Sequence, residues 1–289
     1  MNLKNYPRRD YAIGQFTQPH NPELEGQDFY FVFDGGYDFE LHITGKDTLT
    51  YAKVGEELKE AKYECLKGDD TTYLLDYDIV DTIGTDHATN HLFVIDLEQR
   101  LVTRAICYIG YNERLPFLVK TDWDFGAIKV EGKELPFKRH CFTSDMIGTR
   151  VQWHWNYIMW THHNYYSADY YTLTWPNDSD AVRALGGPFE YLPSHDDVSR
   201  YVKIKENMYI YCLTEELMER VIHGGPESPF RSNNMIFLQN YDRMMHVGRT
   251  FGHCMFDGKI FPCRTLFGAF GNPVKIPDEV LYAENAYTV

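Results

Sequence analysis

Residues Gly148–Trp175 read GTRVQWHWNYIMWTHHNYYSADYYTLTW, and the alternation inside this stretch decides the fold class. With the side-chain period of two that a strand imposes, Val151, Trp153, Trp155 and Tyr157 point one way while Arg150, Gln152, His154 and Asn156 point the other. His162, His163 and Asn164 read as a polar turn. After it, Asp169, Tyr171, Leu173 and Trp175 share one face, and Tyr170, Thr172 and Thr174 the opposite one. An aromatic-lined hairpin is expected here. Rings set among hydroxyls and imidazoles suit either a plain core or a pocket for a flat, partly polar small molecule.

Outward from this stretch the same grammar recurs. FYFVFDGGYDFELHI (Phe29–Ile43) has two alternating aromatic runs broken by Asp34, Gly35 and Gly36, where positive φ is easy, which is a hairpin signal. Thr48–Tyr51 and Thr71–Ile79 read as strands, VGEELKEAK between them as a short polar helix or an exposed strand, and His91–Gly110 as a hairpin turning near Glu98 and Gln99. The pattern then repeats. Gly26 and Gly148 each open an aromatic hairpin, Tyr73 and Tyr209 each begin an apolar strand, and LFVIDLEQRLVTRA (Leu92–Ala105) lines up with IFLQNYDRMMHVGRT (Ile236–Thr250) given one inserted residue. The expected organisation is an N-terminal arm (1–22), a first β-barrel copy (23–110), a connector (111–147) and a second copy with a C-terminal tail (148–289). Closely spaced hairpins without a long helical period predict a mainly β protein of antiparallel barrels, in which closure removes exposed edges. Thr214–Gly225 (TEELMERVIHGG) reads as one short capping helix, and FGHCMFDGKIFPCRTLFGAFG as a closing hairpin turning at Asp257 and Gly258.

Composition narrows the function classes. The 289 residues, 44% hydrophobic and 16% aromatic, are enough for a real core, and a formal charge of −14 repels phosphate backbones and anionic lipid. Nucleic acid and membrane are therefore not expected partners, and a cytoplasmic location is the default reading for a chain without an apolar leader or span. The six cysteines form no C-x-x-C pair, so a zinc ribbon or thioredoxin motif is absent; Cys254 and Cys263 flank the Asp257–Gly258 turn, where they could face each other across a hairpin, and are expected to stay free thiols. His154, His162, His163 and His253 show no H-x-H or H-E-x-x-H spacing, so no metal is expected. Phosphate loops, dinucleotide glycine motifs and nucleophile elbows are also missing.

LEGQDFYFVFDGGYDFELHI, followed by TLTYAK, resembles the opening of the phenolic acid decarboxylases, which are lipocalin-like (calycin-type) barrels; YYTLTW, YVKIKENMYIYCLTE and VGRTFGHCMFDG look more like the MoaF family. Together the resemblance covers roughly residues 24–272. It implies a cofactor-independent lyase, and commonly a homodimer. In the decarboxylases two tyrosines on the first strand hold the carboxylate, while a glutamate and an arginine inside the barrel manage proton and charge. Carried over, the tyrosine positions become Phe31 and Phe33 in the first copy, which cannot hydrogen-bond a carboxylate, and Trp153 and Trp155 in the second, with Tyr171 retained. YIYCLTE resembles the family's Y-x-x-x-W-T-E strand, with Leu213 in place of the tryptophan, and places the glutamate on Glu215; Arg200 is the nearest arginine.

The resulting expectation is a lyase or isomerase acting on a small aromatic or phenolic acid in the second copy. Glu215 would exchange a proton, Tyr171 and Arg200 would position the anion, His253 would act as base or donor, and Trp153, Trp155, Tyr157 and His154 would line the substrate. The rival reading is a carrier for a small aromatic or hydrophobic ligand. Glu215 also fits an exposed first-turn helix acid, and the aromatics also fit barrel filling.

Overall fold

The computed structural model describes residues 16–83, 85, 87–110, 119–155, 160–174, 195–214, 230–256 and 259–274, with the side chains of 195, 230–233 and 253–263 excepted. Two eight-stranded antiparallel barrels follow one another along the chain. The first is closed by β1 (Asp28–Phe33), β2 (Tyr37–Ile43), β3 (Thr48–Lys53), β4 (Lys59–Lys67), β5 (Thr72–Asp78), β6 (Thr89–Asp96), β7 (Leu101–Tyr108) and β8 (Lys120–Ile128). Each strand pairs with its sequence neighbours, and β8 returns to β1 through Phe33 opposite Gly126. After the short β9 (Cys141–Phe142), the second barrel repeats this meander. Its strands are β10 (Thr149–His154), β11 (Trp160–Tyr165), β12 (Tyr170–Thr174), β13 (His195–Lys205), β14 (Met208–Thr214), β15 (Phe230–Asn240), β16 (Met245–Phe256) and β17 (Lys259–Pro273). β17 closes on β10 with Trp153 opposite Gly271, and β9 pairs with β13.

The two copies correspond strand for strand. Gly26 and Gly148 both take positive φ (79° and 91°), and each donates its N–H across the first hairpin, to Ile43 O and Tyr165 O. No residue needs inserting between β6–β7 and β15–β16, contrary to the expected single insertion. Asp96 pairs with Leu101 and Asn240 with Met245, and the four-residue turns between them both end on a left-handed residue, Arg100 (φ 55°) and Met244 (φ 44°). This register places Phe93 on Phe237, Val102 on His246, Arg104 on Gly248 and Asp124 on Phe267.

Several expectations are corrected. His162 and His163 lie within β11 and not in a turn. Segment 111–147 is not only a connector, because it supplies β8, whose Asp122, Trp123 and Asp124 hide its alternation. Of the two readings of VGEELKEAK the helix fails and the exposed strand holds in part, since a turn is followed by the exposed start of β4 at Lys59. Cys254 pairs with Phe261 and Cys263 with Gly252, so the two cysteines are not opposite each other. Residues 16–22 do lie over the fold as an arm: Phe16 packs on Phe270 of the second barrel, and His20 reaches Glu64 of the first. The helix expected over Thr214–Gly225 falls, beyond Thr214, outside the described residues.

Three apolar clusters hold the molecule together. One fills each barrel, and the third lies between them, where Leu66, Leu74 and Val94 of the first meet Ile210, Ile236 and Leu238 of the second. This is why β5 is buried at every position. Each such aliphatic side chain contributes about 1.5–3 kcal/mol on burial. A Cβ at Gly68 would stand 2.4 Å from Leu238 Cδ2, so a larger residue at the seam would force that side chain to shift. A polar knot accompanies the apolar seam: Arg264 Nη1 donates to Asp76 Oδ2 at 2.8 Å, and Arg249 reaches Asn234 (3.1 Å) and the Cys107 sulfur (3.3 Å). Among the described residues, no helix is long and apolar enough to cross a membrane.

Candidate functional site

Both barrel interiors are lined with rings, but they carry different polar groups. In the second, Trp153 of β10, Trp155 just past its end, His163 of β11 and Tyr171 of β12 point inward. Trp153 Nε1 donates to Tyr165 Oη at 3.1 Å, and Trp155 Nε1 to Thr161 Oγ1 at 2.9 Å, so both indole donors are already used within the barrel. Tyr171 Oη donates to the buried Asp197 at 3.4 Å. His246 of β16 lies among these rings, stacked 4.2 Å from Trp153 and 4.5 Å from Phe237, 1% exposed, with neither ring nitrogen hydrogen-bonded to a described residue. Burial, with His163 nearby, holds its pKa well below the usual imidazole range.

The expected constellation does not assemble in this barrel. Arg200 alternates with the inward Ser199 and Tyr201, so it points outward, where it pairs with Asp169 and donates to Ser199 O. It cannot share an anion with Tyr171. His154 also faces outward, hydrogen-bonded to Gln152 and stacked on Trp160. Glu215 and Tyr157 lie outside the described residues; His253 belongs to β16 opposite Pro262, with its side chain undescribed. Trp153, Trp155 and Tyr171 are the expected residues that do come together. Among the described residues, no cluster of His, Cys, Asp and Glu could hold a metal ion.

The first barrel contains what the second lacks. Arg104, on β7 and 3% exposed, turns inward, with its guanidinium carbon 4.9 Å from the Phe33 ring centre and 4.8 Å from that of Phe39. Nε and Nη2 both donate to Asp124 Oδ2, at 3.0 and 2.6 Å; Nη2 also meets Tyr37 Oη, which itself donates to Asp124 at 2.7 Å. Nη1 makes no hydrogen bond to a described residue. A guanidinium keeps its proton, so the carboxylate neutralises it along one edge and leaves the other edge as a donor. Burial, then the Asp124 hydrogen bond, pushes the Tyr37 phenol far above its ordinary range.

Beyond Phe39 and Phe93 the interior turns polar again. His91 on β6 sits 5.4 Å from Tyr77 and 6.3 Å from Tyr51, with Tyr77 Oη at 3.2 Å from its Nδ1. Burial first, and Arg104 second, hold the His91 imidazole well below its usual pKa, so it is neutral near pH 7. The Tyr51 hydroxyl is buried without a hydrogen-bond partner among the described residues, and burial with Asp81 nearby pushes its pKa up to about 12. An unpartnered hydroxyl in such surroundings costs about 1–3 kcal/mol unless something satisfies it. The interior thus offers a cation edge at one side, aromatic walls, and a neutral imidazole with two phenols at the other.

Sequence reasoning passed over this site because it looked for hydroxyls on the first strand, where Phe31 and Phe33 stand. The available signal was the inward parity of Arg104 between Val102 and Ile106, as the single charged residue of its strand. Compared with known proteins, the chain matches no family model and no curated protein.

Proposed function

We infer that the first barrel binds a small aromatic acid and acts on it by proton transfer without a cofactor, as a lyase or isomerase. The observation that carries this reading is the Arg104 guanidinium, held in an aromatic box with one edge tied to Asp124 and Nη1 left to donate. A carboxylate fits that edge as a charge-assisted hydrogen-bond acceptor, and Phe33, Phe39 and Phe93 suit the ring behind it. The remote end of such a ligand would meet Tyr51, Tyr77 and His91. A neutral imidazole hydrogen-bonded to a phenol can accept or return a proton, which is the task a general base or acid performs. The resemblance to the phenolic acid decarboxylases supports the same chemistry, an arginine managing charge inside a barrel, with the residues supplied by different strands.

The test is calorimetric binding of benzoate and 4-hydroxycinnamate beside their uncharged amides, with product analysis of the same mixtures. The acids are expected to bind at least tenfold more tightly than the amides, and Arg104→Met is expected to remove that preference. Equal binding of acid and amide would sink the assignment. Tight binding without conversion would leave a carrier for aromatic acids, and conversion that survives His91→Phe would remove His91 from the chemistry.

A further inference from the structure

We propose that the interior of the second barrel is a separate binding site for an uncharged planar molecule with a hydrogen-bond donor and acceptor, a phenol or a nitrogen heteroaromatic, anchored on His246. Three observations lead there, two within the second barrel and one from its register with the first. His246 is 1% exposed, and neither of its ring nitrogens has a hydrogen-bond partner among the described residues. A neutral imidazole carries one N–H donor and one acceptor nitrogen, so what satisfies it must supply an acceptor or a donor. Trp153 at 4.2 Å (19° between planes) and Phe237 at 4.5 Å (9°) cover its two faces, so its edge, which carries both nitrogens, is what these two rings leave uncovered.

The second observation is what else surrounds that interior. Trp155 lies 4.7 Å from His246, and 6.1 Å away from Trp155 is His163, which packs against Tyr171 and Tyr211 at 5.1 and 5.9 Å. These are flat, polarisable walls suited to an aromatic guest.

The third is the register between the copies. Where the first barrel has the Arg104–Asp124 pair, the second has Gly248 opposite Phe267; where the first has Val102, the second has His246. The ion pair that suits an acid is thus deleted and a neutral donor–acceptor introduced two residues earlier on the same strand. Arg200 and Arg249, both on the outer face of this barrel, do not replace the lost guanidinium. The chain would hold two ligands of different charge, one in each barrel.

Trp153 and Trp155 make the test direct, because both border His246, whereas the inner rings of the first barrel are phenylalanines and tyrosines. The full chain would be titrated with phenol and with indazole while tryptophan emission is followed, using benzoate for comparison. Saturable quenching by phenol or indazole is expected, with benzoate at least tenfold weaker. His246→Phe keeps a ring in the stack and removes both nitrogens, so it should weaken the neutral probes at least tenfold. A smaller loss, or no saturable quenching in the wild-type protein, overturns the proposal. As a measurement that needs no variant, 15N-histidine-labelled protein should show an imidazole resonance shifted by indazole; an unchanged spectrum also overturns it.

Discussion

Replacing Arg104 with methionine tests the first-barrel site and its energetics together. The change leaves the aromatic box occupied by a flexible apolar chain, which offsets part of the lost packing against Phe33 and Phe39. What it cannot offset is Asp124, whose Oδ2 loses two charge-assisted donors and keeps Tyr37. Stranding one partner of a fully buried pair costs about 3–5 kcal/mol. Asp124 is 20% exposed in its side chain, so water recovers part of that, and a loss of about 1–2 kcal/mol is expected. In a chain of this size it corresponds to a fall in melting temperature of roughly 2–6 °C. Asp124→Asn on the Arg104→Met background removes the stranded charge and should restore at least half of the loss, so the two changes should be non-additive by about 1 kcal/mol. In the binding assay, losing one charge-assisted hydrogen bond worth about 1.5–3 kcal/mol should weaken benzoate roughly 10- to 150-fold. The experiment is a thermal melt of the four proteins of the cycle, followed by calorimetry on the folded ones. Strict additivity would show that the pair is not coupled, and unchanged benzoate affinity in Arg104→Met would refute the reasoning about Nη1.

Three further predictions concern other parts of the molecule. Gly248→Ala places a Cβ 2.1 Å from Ile236 O and 2.5 Å from Phe237 Cδ1, both fixed by strand pairing, so it should destabilise by about 3 kcal/mol or more and be visible as a large drop in melting temperature. His246 binds its proton less readily in the fold than in the unfolded chain, so the unfolded state takes up more protons below about pH 6.5. Wild-type stability should therefore fall relative to His246→Phe by about 1.4 kcal/mol per pH unit below that point, and parallel pH profiles would contradict the burial of a neutral imidazole. Timed iodoacetamide labelling at pH 8, read by mass spectrometry, should modify the exposed Cys141 well before Cys65 and Cys212, whose thiols burial pushes up to about 12; simultaneous labelling would argue against that burial.

The sequence by itself determined most of the strands, the antiparallel hairpins and the two-copy organisation, because the period-two alternation of Phe29, Phe31 and Phe33, or of Val151 and Trp153, is a local property that survives in any tertiary setting. It also placed Trp153, Trp155 and Tyr171 inside one barrel. It could not find β8, nor decide which side of β7 and β16 faces inward, because the outer faces of these strands are covered by the other barrel and both sides are rich in buried residues. Allowing one inserted residue set Arg104 beside Arg249, yet pairing with the neighbouring strands puts Arg104 on Gly248. A shift of one residue reverses every side chain. Only the closed barrels decided that Arg104 points into an aromatic box while Arg249 lies in the seam between the barrels. Only closure, too, brought Asp124, Tyr37 and His91, from three other strands, into the interior that Arg104 enters.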